Sequence, residues 1–218
     1  MNTITAVLFD ADGVIQLAPD RSHARLIEAL GRPMEEREAC LSELFAAEAP
    51  ALVSETPFEV GLQAALDRMG AQCDVETVIR HFCTINCDAR VMAVIQQIRQ
   101  AGVYCALASN QERNRARHMS KQLGHAQAFD REFYSCDLGH AKPSPRYFEE
   151  VIRLSGLNPS QTLFIDDRPD NVETARQCGL VAEQFVLWQV EDGARAMADL
   201  LERHGLYEAK PQDQPARK

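Results

Sequence analysis

Short apolar runs alternate with amphipathic stretches over most of the chain, and this alternation predicts strands followed by helices. The first run, residues 4–9, stops directly at Asp10 and is typical of a buried strand. Beyond Val91 the alternation is regular. The further strands are predicted at 103–108, 132–135, 162–165 and 180–185. The helices between and after them are predicted at 91–100, 114–123, 145–154, 171–178 and 194–203.

The segment 19–90 has a different pattern, with apolar residues at helical spacing and breaks at prolines and glycines. Alternating strands and helices imply a mostly parallel sheet covered on both faces. We therefore predict an α/β protein with a Rossmann-like three-layer core, built from residues 1–14 and 91–218, and an inserted helical cap at 15–90. The last residues, 208–218, are polar and are predicted to be a disordered tail.

Composition narrows the class of protein. Hydrophobic residues make up 45% and charged residues 25% of the 218 residues, as in ordinary globular proteins. The net charge of −9, without a basic block, argues against nucleic acid as a partner. No apolar stretch approaches the ~18 residues of a membrane span, and a signal peptide is not evident at the start. The seven cysteines are scattered without a CxxC pair, which favours free thiols and a cytoplasmic location.

Polar side chains stand where three predicted strands stop. In open α/β sheets, ligands bind outside the carboxyl ends of the strands, so these side chains are expected to meet at one edge. Lys142 precedes a predicted helix on a plausible side of the same cleft. The residues at the strand ends are Asp10, Asp12, Ser109, Asn110, Asp166 and Asp167.

The four carboxylates at this edge predict a divalent cation, because without one they would repel each other strongly. Hard oxygen ligands favour Mg²⁺, and the lack of Cys and His at these positions argues against zinc. A carboxylate is also a possible nucleophile toward phosphorus, and phosphoryl transfer needs cations such as Mg²⁺ and Lys142 around the phosphate oxygens. Asp12 is a candidate proton donor to the leaving oxygen.

Simpler interpretations stay open for several of these residues. Asp10 and Asp12 alone are compatible with an Asx-turn. Ser109 and Glu112 fit a helix capping box, and Asn171 is interpreted as a cap of the helix that begins near Pro169. Core or edge packing accounts for Trp188. The residues Arg21, His23 and Arg25 are more readily explained as solvated than as substrate-binding.

Four ordered segments resemble the four motifs of the haloacid dehalogenase-like superfamily. With a helical insert after the first, they form a more specific signal than an isolated Asp-x-Asp-Gly. The resemblance implies a Mg²⁺-dependent hydrolase with a small helical cap. The segments are Phe9-Asp10-Ala11-Asp12-Gly13-Val14, Ala108-Ser109-Asn110, Ala141-Lys142-Pro143 and Phe164-Ile165-Asp166-Asp167.

The catalytic residues implied by this resemblance are Asp10, Asp12 and Lys142. Asp10 matches the nucleophile, which forms an aspartyl-phosphate and also binds the metal. Asp12 matches the general acid/base, whose backbone carbonyl binds the metal. Lys142 matches the cation that offsets the nucleophile and the phosphate.

The resemblance also implies the binding residues. Ser109 and the backbone of Asn110, together with Lys142, match the phosphate clamp. Asp166 matches a direct metal ligand, and Asp167 a ligand that acts directly or through water.

The segments around Lys142 and Asp166 resemble a branch of sugar-phosphate phosphatases and epoxide hydrolase N-terminal domains. They imply a small phosphorylated metabolite as partner, with a sugar phosphate as one option, which the protein would hydrolyse as a phosphate monoester. Three alternatives remain: a phosphomutase, a 2-haloacid dehalogenase, and a non-catalytic protein that binds a phosphoryl ligand. Dehalogenases of this superfamily typically lack the second aspartate and need no metal, so Asp12 argues against that activity.

Overall fold

The computed structural model describes residues 3–208 and contains one five-stranded parallel sheet and one two-stranded ribbon. The sheet has the order β5-β4-β1-β6-β7. The strands are β1 (Ala6–Phe9), β2 (Gln16–Leu17), β3 (Asn86–Cys87), β4 (Tyr104–Ser109), β5 (Arg131–Tyr134), β6 (Thr162–Asp166) and β7 (Val181–Gln184).

Helices cover the sheet and form the segment between its first two strands in sequence. They are α1 (Ser22–Ala29), α2 (Arg37–Glu48), α3 (Phe58–Met69), α4 (Val75–Phe82), α5 (Ala89–Gln100), α6 (Arg113–Lys121), α7 (His125–Ala128), α8 (Ser135–Leu138), α9 (Pro145–Ser155), α10 (Pro169–Gln177) and α11 (Gly193–Arg203). Four short 3-10 helices add Met34–Glu36, Ala51–Val53, Pro159–Gln161 and Leu187–Gln189.

The sheet buries both of its faces, as its uninterrupted apolar strands predict. Successive side chains of a strand point to opposite faces. Val7 accordingly packs in a cluster with Ile95 of α5 and Leu201 of α11, whereas Leu8 packs in a second cluster with Val151 of α9 and Val172 of α10. The helix–sheet–helix layering confirms the predicted α/β core.

The helical segment has an apolar cluster of its own, which includes Leu30, Leu44, Phe58 and Leu62. Its two connections to the sheet pair with each other as antiparallel β2 and β3, with Gln16 opposite Cys87 and Leu17 opposite Asn86. Strand β3 of this ribbon interrupts the all-helical pattern predicted for 19–90. The sequence did not indicate it, because a strand of two residues is too short to produce a periodic signal. The domain borders at residues 15 and 90 stay a prediction.

The predicted strands and helices of the core are present, with ends shifted by one or two residues in most cases. The short helices α7 and α8 were not predicted. The seven cysteines are free thiols. Within residues 3–208, helices lack the combination of length and apolarity needed to cross a membrane. The predicted disordered tail lies outside the described residues, except for Glu208.

Candidate active site

Parallel pairing brings the ends of β1 and β6 side by side. Phe9 is opposite Ile165, and the backbone N–H of Asp10 donates to the carbonyl of Ile165 at 2.8 Å. The residues that follow β1 and those at the end of β6 therefore lie at the same edge of the sheet. One ligand oxygen from each of Asp10, Asp166 and Asp167 lies within 4.8 Å of the other two. These are three of the four predicted metal-binding aspartates.

Lys142 lies between the carboxylates of Asp10 and Asp166. Its Nζ is 2.9 Å from Asp10 Oδ1 and 2.6 Å from Asp166 Oδ2, and it donates to the carbonyl of Ala108 at 2.8 Å. The Lys142 side chain is only 1% exposed. All three ammonium protons therefore have acceptors at fixed positions. The lysine predicted from its motif is the cation that joins the ends of β1, β4 and β6.

Burial controls the electrostatics of this cluster. Burial raises the pKa of Asp10 to about 7, with Lys142 opposing the shift and Asp166 reinforcing it. Burial, reinforced by Asp166, also raises the pKa of Asp167 to about 6. Burial alone would lower the pKa of Lys142, but Asp10 and Asp166 more than offset this, so its pKa is raised and it stays charged. One cation thus faces three carboxylates, and a second cation would favour their ionised forms.

The carboxylate of Asp12 lies outside the cluster, in contrast to the predicted group of four carboxylates. It forms a bidentate pair with Arg115, at 2.6 and 2.7 Å. It also accepts hydrogen bonds from Gln111 at 2.8 Å and Gln16 at 3.0 Å. Burial by itself raises the pKa of Asp12, but Arg115 and these hydrogen bonds outweigh it, so the net pKa is lowered. Arg115 competes for the carboxylate that a metal would otherwise attract, which leaves the backbone carbonyl of Asp12 as its predicted metal ligand.

Arg115 connects Asp12 to the helical segment. Its Nε donates to the carbonyl of Phe82, the last residue of α4, at 2.8 Å. The same guanidinium therefore contacts the loop that follows β1 and the end of the inserted helices. Arg115 is absent from the predicted site residues because its position on α6 resembles that of its neighbours Arg113 and Arg117.

Ser109 ends β4 and Asn110 follows it, and both lie beside the same cavity as Asp10. Ser109 is not the cap of α6. The side chain of Glu112 caps that helix instead, accepting from the N–H groups of Asn114 and Arg115. Ser109 Oγ accepts a hydrogen bond from Gln111 at 3.0 Å.

Asn110 is held against the loop that contains Lys142. Its Nδ2 donates to the carbonyl of Lys142, and its Oδ1 accepts from the Lys142 N–H, both at 2.8 Å. The Asn110 side chain is thereby occupied, so its backbone is the part left to contact a phosphate, as the family resemblance implies.

Two residues interpreted as structural have different surroundings. Asn171 is not a cap: inside α10, its Nδ2 donates to Asp166 Oδ1 at 2.9 Å and orients that carboxylate. Trp188 is 57% exposed and lines the cavity rather than packing in the core. Its ring lies against Gly13, where an added Cβ would be 2.6 Å from the ring and 2.7 Å from Asp167 Oδ2.

The donor set fits a hard divalent cation. Its three members offer carboxylate oxygens, the ligands preferred by Mg²⁺, without sulfur or imidazole. Within residues 3–208, Asp10 Oδ2 accepts no hydrogen bond, and the carboxylate of Asp167 accepts one only from its own backbone N–H. Asp166 accepts three hydrogen bonds, from Lys142, Asn171 and the Arg168 N–H, which leaves about one of a carboxylate's four acceptor positions open.

A cavity of about 700 Å³ opens above this cluster, between the sheet edge and the helical segment. Asp10, Ser109, Lys142 and Asp167 line it from the core side, and residues of α1, α2 and α4 line it from the other. Its volume is within the range of small-molecule sites, about 300–1,000 Å³.

Known proteins match different parts of this architecture. D-ribitol-5-phosphate phosphatase of Bacteroides thetaiotaomicron is 38% identical over 65 residues, 30% of this chain and 29% of the relative. Flavin mononucleotide hydrolase 1 of Arabidopsis thaliana is 44% identical over 48 residues, 22% of this chain and 20% of the relative. The matched stretches thus span less than a third of either relative.

Solved structures and a family model extend the similarity beyond these short stretches. A HAD family enzyme of B. thetaiotaomicron, bt-2542, solved with magnesium and inorganic phosphate, has a TM-score of 0.70 at 17% identity, covering 83% of this chain and 93% of that one. At this identity the likeness concerns the fold. The model of the haloacid dehalogenase-like hydrolases matches residues 4–179, well over half of the chain. The protein is therefore a haloacid dehalogenase-like hydrolase.

Proposed function

We propose that this hydrolase is a Mg²⁺-dependent phosphatase that cleaves a small phosphate monoester through an aspartyl-phosphate at Asp10. The main support is the environment of Asp10. One of its oxygens lies 2.9 Å from Lys142, while the other has no hydrogen-bond partner within residues 3–208 and lies beside a cavity. A buried carboxylate with one anchored and one open oxygen is suited to nucleophilic attack.

Asp10, Asp166, Asp167 and the backbone carbonyl of Asp12 are the proposed ligands of Mg²⁺. When bound, the ion would supply positive charge to the phosphoryl oxygens and keep the carboxylates ionised. Lys142, which contacts Asp10 and Asp166, would add a second positive charge.

The phosphate is proposed to contact Ser109 Oγ, the Asn110 backbone N–H and Lys142 Nζ. An oxygen of Asp10 then attacks phosphorus, and the bond from phosphorus to the ester oxygen breaks. The departing oxygen takes a proton from Asp12. In the second half, Asp12 takes a proton from water, whose oxygen attacks phosphorus and breaks the bond to Asp10.

The contact with Arg115 keeps Asp12 ionised and occupies its oxygens. A carboxylate that accepts four hydrogen bonds has almost no acceptor position left, so Asp12 must be released from Arg115 both to donate a proton and to accept one from water. The end of α4 also holds Arg115, so movement of the helical segment is a means of that release.

The functions of the relatives also favour a phosphatase. One acts on ribitol 5-phosphate and another on flavin mononucleotide. Asp12, Asp166 and Asp167 are the features that favour this activity over a 2-haloacid dehalogenase. The presence of both Asp10 and Asp12 argues against a non-catalytic binding protein. A phosphomutase remains the nearest alternative, because it would use the same core residues.

A screen of phosphate monoesters, with Mg²⁺ or after treatment with EDTA, tests the proposal. We expect release of inorganic phosphate only with Mg²⁺, and acid-quenched protein with one phosphoryl group on the peptide containing Asp10. An isomerised sugar phosphate in place of free phosphate would indicate the mutase. Metal-independent release of halide from a 2-haloacid would indicate the dehalogenase.

A further inference from the structure

The cavity is larger than its catalytic groups require. A phosphate and its metal need only the end formed by Asp10, Lys142 and Asp167, whereas the cavity measures about 700 Å³. The remaining space faces mainly apolar side chains. The larger ones on the helical segment and beside it include Leu26, Leu41, Phe45, Leu52, Phe82 and Trp188.

Two of these side chains are large, aromatic and about half exposed. Phe45 is 48% exposed and Trp188 57%. Among residues 3–208, Met34 and Val60 are the other exposed large hydrophobic side chains, and both lie outside the cavity. Phe45 comes from α2 and Trp188 from the core, so both parts of the protein present an aromatic ring to the same space. Exposed apolar area that is gathered in one cleft indicates a ligand that covers it.

Both rings pack against other residues on the side away from the cavity. The ring of Phe45 lies 6.0 Å from that of Phe82, which lies 5.4 Å from the ring of Phe58, a residue buried in the helical segment. Trp188 rests against Gly13, in the loop that follows Asp10 and Asp12. The aromatic surface therefore has protein packed behind both of its rings, and it begins directly beside the carboxylates.

The polar groups of the helical segment are distributed unevenly around this surface. Ser22 and His23 lie shortly after strand β2, and His81 and Thr84 lie shortly before strand β3. Between these two groups, α2 presents Glu48, three residues after Phe45 and on the same side of the helix. Glu48 accepts no hydrogen bond from the described part of the chain. A ligand that covers Phe45 would bring its own donor to this carboxyl group.

We infer that the substrate is the phosphate monoester of an alcohol bearing an aromatic ring system, with the ring against Phe45 and Trp188 and the phosphate at Asp10. This inference rests on the proposed function. A hydrogen-bond donor on the ring pairs with Glu48. A polyhydroxylated sugar phosphate would leave both aromatic side chains largely uncovered.

The test compares primary alkyl phosphates, whose leaving oxygens are alike: ethyl phosphate, D-ribitol 5-phosphate, 2-(naphthalen-1-yl)ethyl phosphate and 2-(indol-3-yl)ethyl phosphate. We expect kcat/KM for the naphthyl ester to exceed that for ethyl phosphate by about 10- to 100-fold. The indolyl ester, whose ring has an N–H donor, is expected to be the best of the four. In Glu48→Leu the advantage of the indolyl over the naphthyl ester should be lost.

Variants identify the surface responsible. Phe45→Ala and Trp188→Ala should each reduce the ratio of naphthyl to ethyl kcat/KM by about tenfold. Met34→Ala and Val60→Ala remove equally exposed apolar side chains away from the cavity and should leave that ratio at its wild-type value. If all four variants retained the ratio, or if ribitol phosphate were preferred to both aromatic esters, the inference would be overturned.

A binding measurement separates this inference from catalysis. Trp188 is the single tryptophan of the chain, so its fluorescence reports on this cavity. We expect 3-phenylpropylphosphonate, which has no ester to hydrolyse, to shift its emission to shorter wavelength, and propylphosphonate not to do so.

The two kinds of failure differ. Good turnover of ethyl and ribitol phosphates without an aromatic preference or emission shift would refute the substrate class and leave the phosphatase intact. Absence of Mg²⁺-dependent turnover of every ester, including the activated p-nitrophenyl phosphate, would refute the proposed function itself and, with it, the substrate inference.

Discussion

The two sides of the cavity differ in how fully their polar groups are paired. On the core side, Lys142 has three acceptors and Asp12 accepts four hydrogen bonds, so these groups are held before any ligand binds. On the side of the helical segment, Glu48 accepts no hydrogen bond within residues 3–208 and Phe45 is exposed. Preorganised charge favours the transition state of a reaction, whereas unpaired groups gain from a ligand. We therefore expect the core side to carry out the reaction and the other side to select the substrate.

Among the changes that test this comparison, loss of the proposed nucleophile on the core side should have the largest effect on the rate. Asp10→Asn is expected to lower kcat by at least about 10⁴-fold, because a neutral amide is a poor nucleophile. Initial rates with Mg²⁺ measure the loss, and thermal melting should show that the protein still folds. Asp137→Asn, at a 60% exposed side chain, is the control. Turnover at the wild-type rate would exclude Asp10 as the nucleophile.

Lys142→Met should weaken both catalysis and folding. Removal of a preorganised charge is expected to lower kcat by about 10²- to 10³-fold. Asp10 and Asp166 would also lose their shared buried cation, a change that destabilises proteins by about 3–5 kcal/mol. Activity assays and urea unfolding measure the two effects, with the exposed Lys121→Met as control. If the variant were as stable as the wild type, Lys142 would not stabilise the ends of the strands that it contacts.

Arg115→Met should have a smaller effect on the rate and would test whether the two sides are coupled. It releases Asp12 and breaks the contact with Phe82, and misplacement of a catalytic group by about 1 Å costs about 100-fold in rate. We expect a fall in kcat of about 10- to 100-fold, with partial recovery in Arg115→Lys, which keeps the charge but not the bidentate fork.

Arg113→Met is the matched control for Arg115, since Arg113 lies on the same helix with its side chain 63% exposed. Equal kcat values for the Arg113 and Arg115 variants would show that Arg115 has no special connection with Asp12.

Glu48→Gln should have the smallest effect of these variants, and the effect should be on the free energy of unfolding. Burial raises the pKa of Glu48 to about 7 from its ordinary 4.5, with Arg115 opposing and Glu112 and Asp12 reinforcing the shift. Below pH 4.5 the group is protonated in both the folded and unfolded states. Between pH 4.5 and 7 the unfolded state loses this proton first, so the wild type loses stability as the pH rises.

Glutamine does not ionise, so the variant should be more stable than wild type by about 1–2 kcal/mol at pH 8, after allowance for partial exposure. The difference should vanish towards pH 4.5. Melting curves across this pH range provide the measurement. Glu38→Gln, an exposed position on the same helix, should follow the wild-type pH dependence. A pH-independent difference for Glu48→Gln would contradict the assigned cause.

The core was predictable because its signals are local and its topology is restrictive. Apolar runs that stop at Asp10, Ser109 and Asp166 mark the carboxyl ends of strands, and parallel pairing brings such ends to one edge. The meeting of Asp10, Asp166 and Lys142 followed from this rule together with the family resemblance. The roles assigned to them stay predictions.

The pairing of Arg115 with Asp12 was not predictable, because the two residues are 103 positions apart and Arg115 has no local signature. The exposure of Phe45 and Trp188 likewise depends on how the helical segment lies over the sheet. In the sequence, an aromatic residue at helical spacing is typical of a core position. Local patterns therefore identified the catalytic edge and not the opposite side of the cavity.

The pairing of β2 with β3 determines how this insert can be exchanged between relatives. A graft with junctions at residues 15 and 90 would take both strands away from the recipient, including Gln16, whose side chain holds Asp12. Junctions placed after Leu17 and before Asn86 would leave the recipient its own ribbon and transplant only the helices. Chimeras cut at the inner positions should therefore keep their reaction machinery and inherit the donor's choice of substrate.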